Sequence, residues 1–411
     1  MPPRFSLVYP TRHRPDFVRQ ALRVLEAQRF DNFEIIVSDN YVDAAQSCER
    51  MCRESSRASN ITYTRPPRPV SMVENWNHAL PFATGDYVCY LTDKMFVLPG
   101  ALSLVDQAID DSGDPDIVSW KSDSYTPSSF PDYFGDGLYV ETSSPAGERL
   151  YRHYAPGDAL DRRGRADVSR LEQDPADYSR GKLAFGAYSR GLVDRILNRF
   201  GRLFANISPD YTSMVVGLAE ARDAIELAPA CVVGINTDIS NGMLSDTNDA
   251  AALAFLNSLE GGAEAILPNL FVPGLYVSVH NWVAHDYVTL RSAFDLPFAF
   301  DAANWLVYCH EDVYRPSRRW SDPRVEADQK RLLTAFVASL EPTMAAAYEA
   351  RLAARSAPKP LGLRAARRLL PRRWRLRRLL PPRWQRGMPV RFPSIQAAVE
   401  RSVTDRGWDV A

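Results

Sequence analysis

Hydrophobic and polar positions follow two alternating periods over the first 120 residues. Compact apolar runs at residues 5–9, 33–38 and 87–91, with weaker ones at 61–64 and 116–120, predict buried strands. Between them, residues 15–28 place Phe17, Val18, Ala21, Leu22, Val24 and Leu25 on one helical side. Ser71 followed three residues later by Glu74 has capping-box spacing and predicts a helix running through Asn75-Trp76-Asn77 to about Phe82. Pro99 opens another helix. Strands alternating with helices predict a parallel sheet with crossover helices on its faces. Ligands of such sheets bind off the carboxyl ends of the strands. The polar clusters at 11–14, 39–40 and 92–94 are therefore expected to converge on one crevice.

Beyond residue 120 the pattern changes. Residues 121–180 are rich in Ser, Pro, Asp, Gly and Tyr and read as long loops or a small inserted region. Helical periodicity returns at 183–204 and 211–221, and residues 245–357 read as mostly helical. The division expected is 1–244 as an α/β domain, 245–357 as a helical accessory region, and 358–411 as a basic amphipathic tail.

Composition adds one asymmetry. The 411 residues carry 49 Lys+Arg against 50 Asp+Glu, but 13 of the basic residues and no acidic ones fall within 351–386. An acidic body with a basic tail points to a separate partner for the tail. Five scattered cysteines argue against a secreted disulfide scaffold and for a reducing compartment. The N-terminus shows no signal-peptide pattern and no run is long enough to span a bilayer. The six histidines lack zinc-site spacing, and neither a Walker sequence nor a G-x-S-x-G elbow occurs.

PTRHRP at 10–15, FEIIVSDN ending at Asn40, ENWNHAL at 74–80, ATGDYVCYLTD ending at Asp93, FVLPGAL at 96–102 and SPDY at 208–211 occur in an order that resembles glycosyltransferase family 2. The resemblance implies a GT-A, Rossmann-like, mostly parallel sheet flanked by helices, followed by a largely helical C-terminal region. It also implies an inverting enzyme that takes a sugar from a nucleotide-sugar donor. On matching positions, Asp39 would hold the nucleoside, with Thr11 and Arg14 lining the same pocket and Asn77 touching sugar or nucleotide. Asp93 would bind the diphosphate or its metal. Asp210 would be the general base, because a carboxylate in a cleft can take the proton of an attacking hydroxyl.

One departure matters. Similar enzymes carry two or three aspartates where this chain reads Asp93-Lys94-Met95, and a divalent ion prefers several hard oxygen ligands. Three readings stay open. Asp93 binds Mg²⁺ or Mn²⁺ with help from the diphosphate and a later residue such as His280 or His285; the Lys94 ammonium stabilises the leaving diphosphate itself; or Lys94 is a solvated loop lysine beside a decayed site. The last would leave a non-catalytic sugar-nucleotide-binding scaffold protein.

The tail repeats RRLLPRRW at 367–374 as RRLLPPRW at 377–384. Arginines alternating with Leu pairs and Trp374 and Trp384 suit an anionic membrane surface. The paired leucines and acidic body speak against nucleic acid. The expected setting is a cytoplasmic enzyme, peripheral on the inner face of the membrane, acting on a saccharide or lipid-linked acceptor in bacterial surface polysaccharide or glycolipid synthesis.

Overall fold

The computed structural model describes residues 2–142, 149–171, 173–356 and 388–408. Four parallel strands form the N-terminal half of its sheet in the order β3 (Ile61–Thr64), β2 (Phe33–Asp39), β1 (Phe5–Thr11), β4 (Tyr87–Tyr90). Alternation along β1 sends Phe5, Leu7 and Tyr9 into one core and Val8 into the other, as a period of two requires. The helix Pro15–Glu26 covers the first face and the helix Met72–Ala79 the second. The second helix starts at the predicted capping box: Ser71 Oγ accepts the Glu74 N–H, and Glu74 returns its carboxylate to the Ser71 N–H at 2.9 Å.

The other half of the sheet is mixed. A short β5 (Met95–Val97) runs antiparallel to β10 (Ala224–Ile235), which itself lies parallel to β6 (Ile117–Pro127). The segment expected as loops after residue 120 instead continues β6 to Pro127 and adds β7 (Gly137–Val140) and β8 (Tyr151–Tyr154). Strand β9 (Gly186–Ser189) is inserted antiparallel between β4 and β6. The start of β6 lies at the strand predicted for 116–120, and buried polar residues, Lys121 and Asp123, conceal its continuation in the sequence.

Helices dominate from residue 241 to 356, as expected. Two of them, Val279–Phe294 and Ala302–Val313, pack onto the second face of the sheet through Trp282, Tyr287, Trp305 and Tyr308. No helix among the described residues is long and apolar enough to cross a membrane. All five cysteines are free and buried.

The chain does not end in a wholly separate tail. Residues 390–392 add a strand, β11, antiparallel to β7, and the helix Ile395–Arg406 packs Ile395, Ala398 and Val399 into the first core. Arg406 Nη2 lies 2.6 Å from the buried Asp123 carboxylate. The arginine-rich repeat and its expected membrane contact fall outside the described residues.

Candidate functional site

The carboxyl ends of β1, β4 and β10 open onto one crevice of about 1080 Å³, closed on its far side by the helices after residue 241. Thr11, Arg14, Asp93, Lys94 and Asp210 all line it, so five of the seven expected site residues are brought together from positions spread over 200 residues.

Asp93 is buried at the end of β4 and is held from two sides. Its Oδ2 accepts the Thr11 hydroxyl at 2.9 Å, and its Oδ1 accepts Arg14 Nη1 at 3.1 Å. The other arm of Arg14 donates to the Ile239 carbonyl at 2.6 Å. Beside this pair the Lys94 ammonium donates to Ser240 Oγ. Burial pushes the Lys94 pKa down, against the attraction of Asp93 and Asp210.

Asp210 stands in the first turn of the helix Pro209–Glu220, with Pro209 at the first position, where its missing N–H costs nothing. Burial raises its carboxyl above the ordinary range, while Lys182 and, more weakly, Lys94 pull it back. Lys182 is fully buried, its Nζ 3.6 Å from the Tyr178 ring centre and 3.8 Å from that of Tyr211. The loop leading to Asp210 is fixed by Asp286, whose carboxylate accepts the Ile207 and Ser208 N–H groups at 3.3 and 2.8 Å. Burial pushes Asp286 up to about 7.

Two expected residues lie elsewhere. Asn77 does not reach the crevice wall. Its amide donates to the Val73 and Phe204 carbonyls at 3.1 and 2.8 Å and accepts the Phe204 N–H, so it ties its helix to the chain near residue 204. Asp39 is wholly buried at the end of β2, outside the crevice wall, where Oδ2 accepts the Cys48 N–H at 2.6 Å and the Tyr63 hydroxyl at 3.1 Å. Its Oδ1 has no hydrogen-bond partner among the described residues. The adjacent Asn40 does line the crevice, pinned to both polar groups of the Val70 backbone.

The residues around Asp93 do not fit a divalent ion. Both its oxygens already accept hydrogen bonds, its neighbours are Lys94 and Met95, and no cluster of three His, Cys, Asp or Glu side chains among the described residues could hold a metal. His285 is not in the crevice wall, and His280, which is, directs Nδ1 to Asp312. Several crevice residues carry no motif in the sequence: Arg163, Arg170, Asp246, His280 and Arg315.

A strand-end crevice on a mainly parallel N-terminal sheet is the nucleotide-binding arrangement of α/β proteins. Residues 6–155 match the sequence model described as glycosyl transferase family 2. A segment of 110 residues is 32% identical to a GalNAc(5)-diNAcBac-PP-undecaprenol beta-1,3-glucosyltransferase of Campylobacter jejuni. That match covers 26% of this chain and spans only 34% of the relative's length. Among solved structures, S. aureus TarS 1-349 in complex with UDP-GlcNAc aligns at 14% identity and a TM-score of 0.40, over 75% of this chain and 80% of that one. The mannosyltransferase PcManGT of Pyrobaculum calidifontis, in complex with GDP-Man and Mn2+, aligns at 15% identity and a TM-score of 0.37, over 87% and 88%.

Proposed function

We propose that the protein is an inverting glycosyltransferase that moves a sugar from a nucleotide-sugar donor to a saccharide or lipid-linked acceptor, with fixed cationic side chains at the diphosphate. The observation that carries this reading is the meeting of Lys94, the Arg14–Asp93 pair and Asp210 in one crevice of a chain whose residues 6–155 match glycosyl transferase family 2.

The acceptor hydroxyl oxygen attacks the anomeric carbon and forms the new glycosidic bond. The bond from that carbon to the diphosphate oxygen breaks, and its electron pair leaves with the nucleoside diphosphate. Asp210 takes the hydroxyl proton. Lys94 meets the charge growing on the leaving diphosphate. Asp93 keeps the Arg14 guanidinium in place, so this positive charge is set before the reaction, which is what makes electrostatic stabilisation effective. Asp39 is kept as the nucleoside acceptor on the family resemblance alone. Its Oδ1 has no donor among the described residues, and an unmet buried acceptor is costly. It lies outside the crevice wall, however, and meets a nucleoside only if the chain covering it moves. The relative from C. jejuni is named for an undecaprenol-linked compound, and this supports a lipid-linked acceptor in bacterial polysaccharide or glycolipid synthesis. The basic repeat would then hold the enzyme against an anionic inner-leaflet surface.

Calorimetric titration of the purified protein with UDP, GDP, CDP and dTDP, in EDTA and then with Mn²⁺, tests the reading. Binding of one nucleotide equally well in EDTA is the expected result. Binding that requires Mn²⁺ would return the diphosphate to a metal at Asp93, and failure to bind any would overturn the transferase reading. Binding without donor hydrolysis or transfer would favour a non-catalytic scaffold.

A further inference from the structure

The helix that fixes the Asp210 loop also builds a second polar site in the crevice, at its own first turn. Asp286 grips the Ser208 N–H from the middle of the helix Val279–Phe294. His280 lies six residues earlier, about 9 Å back along the axis at 1.5 Å per residue.

His280 is oriented from two directions. Nδ1 lies 2.7 Å from Oδ2 of the wholly buried Asp312, and the ring stacks on Tyr308 at 4.8 Å between centres and 19° between planes. Asp312 also accepts the Ser278 hydroxyl at 2.8 Å and Arg315 Nη2 at 3.1 Å; against its burial, the attraction and hydrogen bond of His280, with help from these two groups, hold its carboxyl below the ordinary range. An ionised carboxylate can only accept, so Nδ1 carries the proton and Nε2 is left without a protein partner among the described residues. Two residues on, Trp282 also lines the crevice. It is 3% exposed, and its indole N–H has no acceptor among the described residues. Its ring stacks at 5.4 Å on the half-buried Phe255, another crevice residue.

A saccharide presents hydroxyls that donate and accept beside patches of apolar C–H. An open imidazole nitrogen, an unpartnered indole N–H and an aromatic face match that pattern. We propose that His280, Trp282 and Phe255 form the subsite for the acceptor saccharide: Nε2 of His280 hydrogen-bonds one sugar hydroxyl, the Trp282 N–H donates to a sugar oxygen, and Phe255 meets a C–H face. This inference rests on the glycosyl-transfer reading and adds the acceptor side to it. The proposed diphosphate groups Arg14 and Lys94 come from the loops that follow β1 and β4, whereas all three subsite residues come from the helical region, so donor and acceptor sites are separable by mutation.

Saturation-transfer NMR with the methyl glycosides of glucose, galactose and N-acetylglucosamine, in the presence of saturating nucleoside diphosphate, tests the subsite. The full chain is compared with His280→Gln and Trp282→Phe; the latter keeps the aromatic stack and deletes only the N–H. Expected is saturation of at least one glycoside by the unaltered protein and a severalfold weaker signal in both variants, at unchanged nucleotide affinity. No glycoside signal from the unaltered protein, equal signals in the variants, or signals abolished by the nucleotide would each overturn the proposal. If His280→Gln fails to fold, Trp282→Phe decides alone. A protein that binds glycosides through these residues but no nucleotide would sink the transferase reading and leave the saccharide subsite standing.

Discussion

Arg14 Nη1 sits 3.1 Å from Asp93 Oδ1, joining the loop after β1 to the end of β4 across 79 positions of the chain. Because Thr11 holds the other oxygen, both oxygens of this carboxylate are engaged by protein donors. The free positive charge beside it is Lys94, whose anchoring partner, Ser240, is a neutral hydroxyl.

Lys94→Met should therefore weaken nucleoside diphosphate binding by roughly tenfold to a hundredfold, the equivalent of losing a charged hydrogen bond worth about 1.5–3 kcal/mol. Added Mn²⁺ should not restore it. Burial lowers the Lys94 pKa, so the ammonium is present at low pH and is lost as pH rises, before the ordinary lysine range. Affinity in calorimetric titrations should fall on that side first, and the fall should vanish in Lys94→Met.

Asp210→Asn should lower transfer by roughly a hundredfold to ten-thousandfold, the usual contribution of a general base, with nucleotide affinity retained. The carboxyl is raised by burial and must be ionised to accept a proton. The acid limb of the kcat/KM profile should accordingly lie above the ordinary carboxylate range, with activity rising as pH rises through it. A variant with unaltered rate would remove Asp210 from the mechanism.

The C-terminal helix supplies a stability test. Asp123 is fully buried within β6, and burial pushes its carboxyl up to about 6 despite the Arg406 guanidinium. Arg406→Met leaves that carboxylate without its counter-ion; because Asp123 can take up a proton instead, the charge-related cost is limited to roughly 1.4 kcal/mol for each pH unit above its pKa in the unaltered protein. The sign with pH follows from the raised pKa. Below it, Asp123 takes up a proton and the uncompensated charge disappears, so the loss in thermal unfolding should be large at pH 7 and smaller at pH 5. Equal losses at both pH values would mean that packing of the helix, and not the charge, is what Arg406 supplies.

Local patterns made the N-terminal half of the sheet legible. The apolar runs of β1, β2 and β4 and the Ser71–Glu74 capping box depend on neighbours in sequence, and each forms where the pattern predicts. What failed depends on distant partners. The start of β6 falls on the strand predicted at 116–120, but Lys121 and Asp123 make its continuation read as loop because the arginine that neutralises Asp123 comes 283 residues later. Asn77, within a family-like motif, is held by the backbone of Phe204, 127 residues away. His280 carries no motif at all, and its acceptor Asp312 lies on the next long helix, at a spacing that no local period marks. The order of motifs located Thr11, Arg14, Asp93, Lys94 and Asp210; the partners that set their charge could be read only in three dimensions.

Lys182 is the partner with the most direct consequence for the chemistry. It is wholly buried between the rings of Tyr178 and Tyr211, and its charge is the strongest influence opposing the rise of the Asp210 carboxyl. Lys182→Met retains most of the volume and the aromatic contacts but removes that charge. Asp210 should then hold its proton to higher pH, so the acid limb of kcat/KM should move upward, and activity at any pH below the limb should fall about tenfold for each unit of displacement. The plateau at high pH should be nearly unchanged, because Asp210 is ionised there in both proteins. A variant whose plateau drops while its limb stays in place would show that Lys182 supports the packing of the tyrosines and has no part in tuning the base.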